Sequence, residues 1–117
     1  MAVKNSDLSE RLFEFAVIVI EFLKTFPYTP ENKIIRVQLA KSSMSSGANY
    51  EEAWGGSSRP DFTNKVRISL REMRESNYWL RIIKCTDREI DNKILAELLT
   101  ESIELKNILG SIVQKCR

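Results

Sequence analysis

Apolar residues in this chain return at intervals of three and four, and no run of Val, Ile or Thr alternates with period two between turn signals. A chain patterned this way has no strand to pair and must bury its apolar surface helix against helix. The first helix is expected from about Ser6 or Asp7 to Phe26, with Leu8, Leu12, Phe15, Ala16, Val19, Phe22, Leu23 and Phe26 on one stripe. Phe13, Val17 and Ile20 form a second apolar set off that stripe, which implies burial on two sides. Pro27 stops this helix, and Thr29-Pro30-Glu31 restarts the chain with a cap, a proline at the first helical position and an acid in the first turn.

The second helix, Pro30 to Trp54, opens with Ile34, Ile35, Val37 and Leu39 and then changes character. Ser42, Ser43, Ser45, Ser46, Gly47 and Ala48 offer little side-chain volume and mediocre helix propensity. Such a run lets another helix approach closely and is held by tertiary packing. Gly55-Gly56 closes it, and Ser58-Arg59-Pro60-Asp61 starts a third helix, about 25 residues long on the usual start and stop signals. Its stripe is Phe62, Val66, Ser69, Met73, Ser76, Leu80 and Ile83. Asp87 is expected to cap the last helix, in which Ile94, Leu98, Leu105, Ile108 and Ile112 are widened by Leu95, Leu99, Leu109 and Val113, with Gly110 as a weak point. Loops of about two to five residues make neighbours antiparallel, so the expected fold is all-α, an up-down-up-down four-helix bundle. With no repeat and no linker, residues 1–117 form a single expected domain.

Several function classes lose their residues. The chain has no His, which removes Ser-His-Asp and Cys-His nucleophiles and His-ligated metals. Cys85 and Cys116 form neither a disulfide framework nor a CxxC site, so no metal or cofactor and a reducing, cytoplasmic setting are expected. Leu12 to Leu23 is the most apolar stretch, but Glu14 and Glu21 interrupt it and it falls short of a bilayer span. The N-terminus carries no signal-peptide pattern. For catalysis the best groups are Lys41 with Tyr50, or Glu51 with Glu52, and neighbouring helical residues point about 100 degrees apart rather than at one reacting atom. No catalytic constellation and no enzyme is expected.

The 18 basic and 16 acidic residues are unevenly placed: residues 1–32 sum to −2, residues 33–88 to +5 and residues 89–117 to −1. Within the basic segment Arg67, Arg71 and Arg74 follow at helical spacing, with Lys65 and Arg81 near them. Like charges so placed repel by a few tenths of a kcal/mol unless neutralised. Glu72 and Glu75 make a solvated face one reading; phosphate contact is the other. Tyr78, Trp79 and Trp54 are aromatics among polar neighbours, able to pack in the core, anchor a subunit contact or stack a base.

The stretch from Ala40 to Leu80 carries a resemblance. Its parts are Ala40-Lys41-Ser42-Ser43, Ser46-Gly47-Ala48-Asn49-Tyr50-Glu51-Glu52, Ser57-Ser58, Asp61-Phe62 and Leu70-Arg71-Glu72-Met73-Arg74-Glu75-Ser76-Asn77-Tyr78-Trp79-Leu80. This signature resembles the four-helix-bundle proteins encoded by intervening sequences in 23S ribosomal RNA genes, a family similar to the accessory variability determinant proteins of diversity-generating retroelements. The resemblance implies a small cytoplasmic bundle without catalytic activity that assembles as a homopentamer. In the retroelement branch it implies binding to a reverse transcriptase and to RNA or DNA. Ser42, Ser46, Asn49, Glu52, Glu75 and Trp79 are the motif positions, expected to be structural. Asn49 shares a face with Ile35, Leu39, Ser42, Ser46 and Ala53, so it is expected to point inward or toward a partner subunit.

Two functional readings follow. One is a nucleic-acid or ribonucleoprotein accessory factor using Lys65, Arg67, Arg71, Arg74 and Arg81. The other is a protein-binding scaffold, such as a reverse transcriptase accessory protein, without nucleic-acid contact. Phe13, Val17, Ile20, Trp54 and Tyr78 are the expected oligomer contacts in either case.

Overall fold

The computed structural model describes residues 2–56, 58–87 and 92–116, with side chains described from Asp7 onward in the first helix and from Lys93 onward in the last. Ser57 of the signature and the Ser6 side chain lie outside the described residues. The chain forms α1 (Ala2–Lys24), α2 (Pro30–Gly55), α3 (Arg59–Thr86) and α4 (Asn92–Lys115), with no strand among the described residues.

The helix starts follow local chemistry. Thr29 and Ser58 sit in extended conformation and their hydroxyls accept from the backbone N–H of Asn32 (3.0 Å) and Asp61 (3.2 Å), each satisfying a donor that the first turn leaves unpaired. At the end of α1 the backbone tightens, with Thr25 and Phe26 donating to carbonyls three residues back before Pro27 stops the turn. A Cβ at Gly56 would stand 2.4 Å from the Asp61 carboxylate, the end of a side chain that would have to turn aside.

Three boundaries differ from expectation. α1 starts at Ala2 and passes through Ser6 and Asp7 rather than being capped by them, and its regular part ends at Lys24. α3 runs for 28 residues. Asp87 closes α3, its N–H donating to the Ile83 carbonyl at 2.9 Å, while the start of the last helix expected directly after it falls on residues 88–91, outside the described residues.

Cross-helix bonds fix the antiparallel order. Between α2 and α3 the pairs Ser42 with Ser76, Ser46 with Ser69 and Glu52 with Lys65 run in opposite senses, and between α1 and α2 Ser9 meets Glu51 while Arg36 meets Leu23 and Phe26. α1 closes on α4 through Arg11, which bridges Glu101 (2.8 Å) and Glu104 (3.0 Å). The hydrogen bond to Glu101, ahead of the desolvation that opposes it, pushes the Arg11 guanidinium above its usual range. The core holds the α1 stripe, Leu39 and Tyr50 of α2, Met73, Leu80 and Ile83 of α3, and Leu95, Leu98, Leu105 and Leu109 of α4.

Candidate functional site

One face of α2 is buried although it is polar. Ser42, Ser46, Tyr50 and Ala53 follow at helical spacing and are all buried, and the two serines find their partners on α3. The Ser42 and Ser76 hydroxyls lie 2.8 Å apart, the Ser46 hydroxyl donates to the Ser69 carbonyl at 2.9 Å, and the Ser69 hydroxyl donates back to the Ser46 carbonyl at 2.7 Å. Small side chains bring the two helices together, and reciprocal bonds leave no buried hydroxyl of this row unpaired. Ser69 and Ser76 occupy apolar-stripe positions of α3, which was the available signal that the stripe is polar inside. On the α4 side Asn77 repeats the device, donating to the Ser102 hydroxyl at 2.9 Å. Burial pushes the Tyr50 phenol above its usual range.

Asn49, expected to point inward or toward a partner subunit, is half-buried and bonds within its own helix, its amide donating to the carbonyl (2.9 Å) and hydroxyl (3.0 Å) of Ser45. Lys41 is exposed and Tyr50 buried, so they do not face one site. Among the described residues no three of His, Cys, Asp and Glu come together as metal ligands. No helix among them is long and apolar enough to cross a membrane.

The opposite side of α2 is open. Met44, Gly47 and Ala48 form a groove of about 460 Å³ with Phe13, Ala16, Val17 and Ile20 of α1. A Cβ on Gly47 would stand 3.4 Å from the Leu12 Cβ and 3.6 Å from the Leu12 backbone, ordinary contact distance, so α1 lies close against α2 along the groove floor. The burial on two sides expected of α1 is not met among the described residues: Phe13 is 62% exposed, Val17 45%, and Ile20 is half-buried. The residues of this second apolar set lie on the face turned away from the core stripe. Glu21, Lys24 and Glu51 rim the groove with both signs of charge.

The remaining expected contact residues lie elsewhere. Trp54 stands at the α2–α3 hairpin, edge-on to Phe62 at 4.9 Å and to Tyr50 at 6.3 Å. Tyr78 projects from the outer face of α3, in edge contact with Trp79 at 5.3 Å. Trp79 is half-buried against the core, and its indole N–H donates to Glu75 at 3.2 Å.

That outer face also carries the arginines. Arg67, Arg71, Arg74, Tyr78 and Arg81 follow at intervals of four, three, four and three, one straight row roughly 21 Å long at the helical rise. Arg67 and Arg74 are exposed without a carboxylate partner among the described residues, and Arg71 makes only a 3.7 Å approach to Glu72. Arg81 is steadied by Asn77, to whose side-chain oxygen its Nε donates at 3.0 Å. Lys65 falls off this row onto the flank facing α2, where Glu52 holds it at 3.2 Å. The sequence reading thus separates: four arginines share a surface, and the lysine is a strut between helices.

The family described as 23S rRNA-intervening sequence proteins matches the chain over residues 4–111. The chain belongs to this family. It is also similar to the crystal structure of a protein of unknown function from the S23 ribosomal protein family of Bacteroides thetaiotaomicron, with a TM-score of 0.79 and 32% identity, covering 91% of this chain and 97% of that one. No curated protein matches the chain. For this family member, the buried motif serines Ser42 and Ser46 hold α2 to α3, Glu52 ties α2 to α3 through Lys65, and Glu75 orients Trp79.

Proposed function

We propose that this 23S rRNA-intervening sequence protein is a non-enzymatic accessory factor that self-associates and engages RNA or a ribonucleoprotein through the outer face of α3. The observation that carries the reading is the row of Arg67, Arg71 and Arg74, exposed and largely free of carboxylates. Guanidinium groups are planar forks that donate two hydrogen bonds to one phosphate, and a row of them along a straight helix follows a backbone rather than reading base edges. Self-association supports the same reading. A second copy covers the α1–α2 groove, whose apolar walls and mixed-charge rim fit another copy of a nearly neutral chain; the pentameric ring implied by the resemblance would then repeat the row on every subunit and enlarge its field.

The test is binding to a structured RNA over a salt series, with the parent and an Arg67→Gln, Arg71→Gln, Arg74→Gln variant. Binding that is sequence-tolerant and falls steeply with salt is expected for the parent; the variant binds more weakly across all sequences with a flatter salt slope. Equal binding by the two proteins makes the row a solvated face. A variant that falls into monomers makes the arginines subunit contacts, with Glu14 and Glu21 as partners.

A protein-binding scaffold is the second reading, favoured by the size and apolar lining of the α1–α2 groove. A partner retained from the native cell after nuclease treatment, such as a reverse transcriptase, and released by substitutions in the groove would select it.

A further inference from the structure

Tyr78 interrupts the arginine row, one turn beyond Arg74 and one turn before Arg81. The residue is 49% exposed, a large aromatic side chain left partly in solvent amid cations. Tyrosine and arginine also occur together at protein contacts, but here Arg74 and Arg81 flank the ring in a row whose Arg67 and Arg74 have no carboxylate partner among the described residues, and a chain of phosphates would neutralise them. The row and its ring suit a polymer that carries phosphates and π faces together.

The ring is also held in place. Trp79 meets it edge-on at 5.3 Å with planes 75° apart, and Trp79 is fixed by its bond to Glu75. The Arg81 guanidinium stands over one side of the ring, 5.5 Å from its centre, and is itself tied to Asn77, which is buried and bonded to α4, so a base stacks on the side that Arg81 does not cover. A side chain already ordered loses little entropy when a ligand stacks on it.

From this juxtaposition we infer that Tyr78 is a base-stacking platform within the phosphate-binding row, so that the site takes a strand with an unpaired base, a single-stranded segment or loop, over an uninterrupted duplex. Stacking on an aromatic needs only a π face, so the preference is for unstacked bases of any identity. Arg74 and Arg81, one turn to either side, hold the phosphates flanking that base.

The inference rests on the arginine reading above, and the experiment separates the two. The probes are a labelled single-stranded oligouridine and an abasic strand with the same number of phosphates, titrated at low salt against the full-length parent, Tyr78→Ala, Tyr78→Phe and the triple arginine variant, with melting curves to confirm folding. The parent is expected to bind oligouridine roughly tenfold more tightly than the abasic strand, within the range that one aromatic stack supplies. Tyr78→Ala removes that difference and leaves abasic binding and the salt slope unchanged; Tyr78→Phe, which keeps the π face, retains it. Equal binding of the two strands by the parent, or a preference that survives Tyr78→Ala, overturns the platform while leaving the arginine row standing. Binding of neither strand by the parent overturns both.

Discussion

The two faces of α2 reverse the usual rule of hydrophobic burial. The face toward α3 is lined by serines and is closed, whereas the face beside α1 carries Met44, Gly47 and Ala48 and stays open, with Met44 48% exposed. Burial here follows size and hydrogen-bond partners more than polarity. Ser42 and Ser46 are small enough for α3 to come close, and once it is close their hydroxyls have matched partners, so little is lost by removing them from water. On the other side α1 lies close at Gly47 while Phe13 and Val17 project outward, and no third helix among the described residues lines the groove with them. One face is finished within the chain and the other is unfinished.

Substitutions can break or sharpen this contrast. The largest effect on stability is expected from Ser46→Leu, which forces volume into the closed face and removes the bond from the Ser46 hydroxyl to the Ser69 carbonyl, while the Ser69 hydroxyl keeps the Ser46 backbone carbonyl. It should cost about 3 kcal/mol in chemical denaturation, combining overpacking with the loss of one hydrogen bond. A neutral result would show that the closed face has room. Next comes the Ser42 and Ser76 pair: Ser42→Ala and Ser76→Ala should each cost about 1 kcal/mol, and the double variant less than their sum. Strict additivity would mean that the 2.8 Å contact contributes nothing.

Tyr50, also on the closed face, gives the smallest effect and one visible only in alkali. Its phenol is raised by burial, so above the ordinary tyrosine range the unfolded chain releases a proton that the folded one keeps. Its contribution is therefore full below pH about 10 and is lost as pH climbs through the folded value. Tyr50→Phe should flatten the alkaline fall in melting temperature; an unchanged slope would place the titration elsewhere.

α1 and α3 were legible because their apolar stripes and their burial coincide, whereas in α4 the buried line is Leu95, Leu98, Leu105, Leu109 and Val113, and Ile94, Ile108 and Ile112 of the expected stripe are half-buried. Every α1 stripe residue from Leu8 to Phe26 is buried except the half-buried Ala16, and Val66, Met73, Leu80 and Ile83 of α3 behave the same way. In α2 the pattern misleads, since Ile34 and Val37 point outward while serines point in. The small-residue run announces close approach, but spacing alone cannot show that Ser69 and Ser76 supply the matching hydroxyls. The arginine row was legible as a charge pattern; its straightness with Tyr78 and Arg81, and the diversion of Lys65 to Glu52, depend on which flank of α3 meets α2. Trp54 and Tyr78 share size and apolar character with Phe13 in the sequence, and only packing separates them.

The claim that the open face is completed by another copy is tested most directly by the mass of the assembly. Native mass spectrometry at micromolar concentration should give five times the 13.5 kDa chain for the parent. Val17→Glu should give the single chain, because a carboxylate placed without a partner in a covered apolar groove is strongly unfavourable. Its melting curve should still be that of a folded protein, since Val17 is 45% exposed in the isolated chain. A parent that runs as a monomer, or a Val17→Glu variant with the parent's mass, would contradict the account.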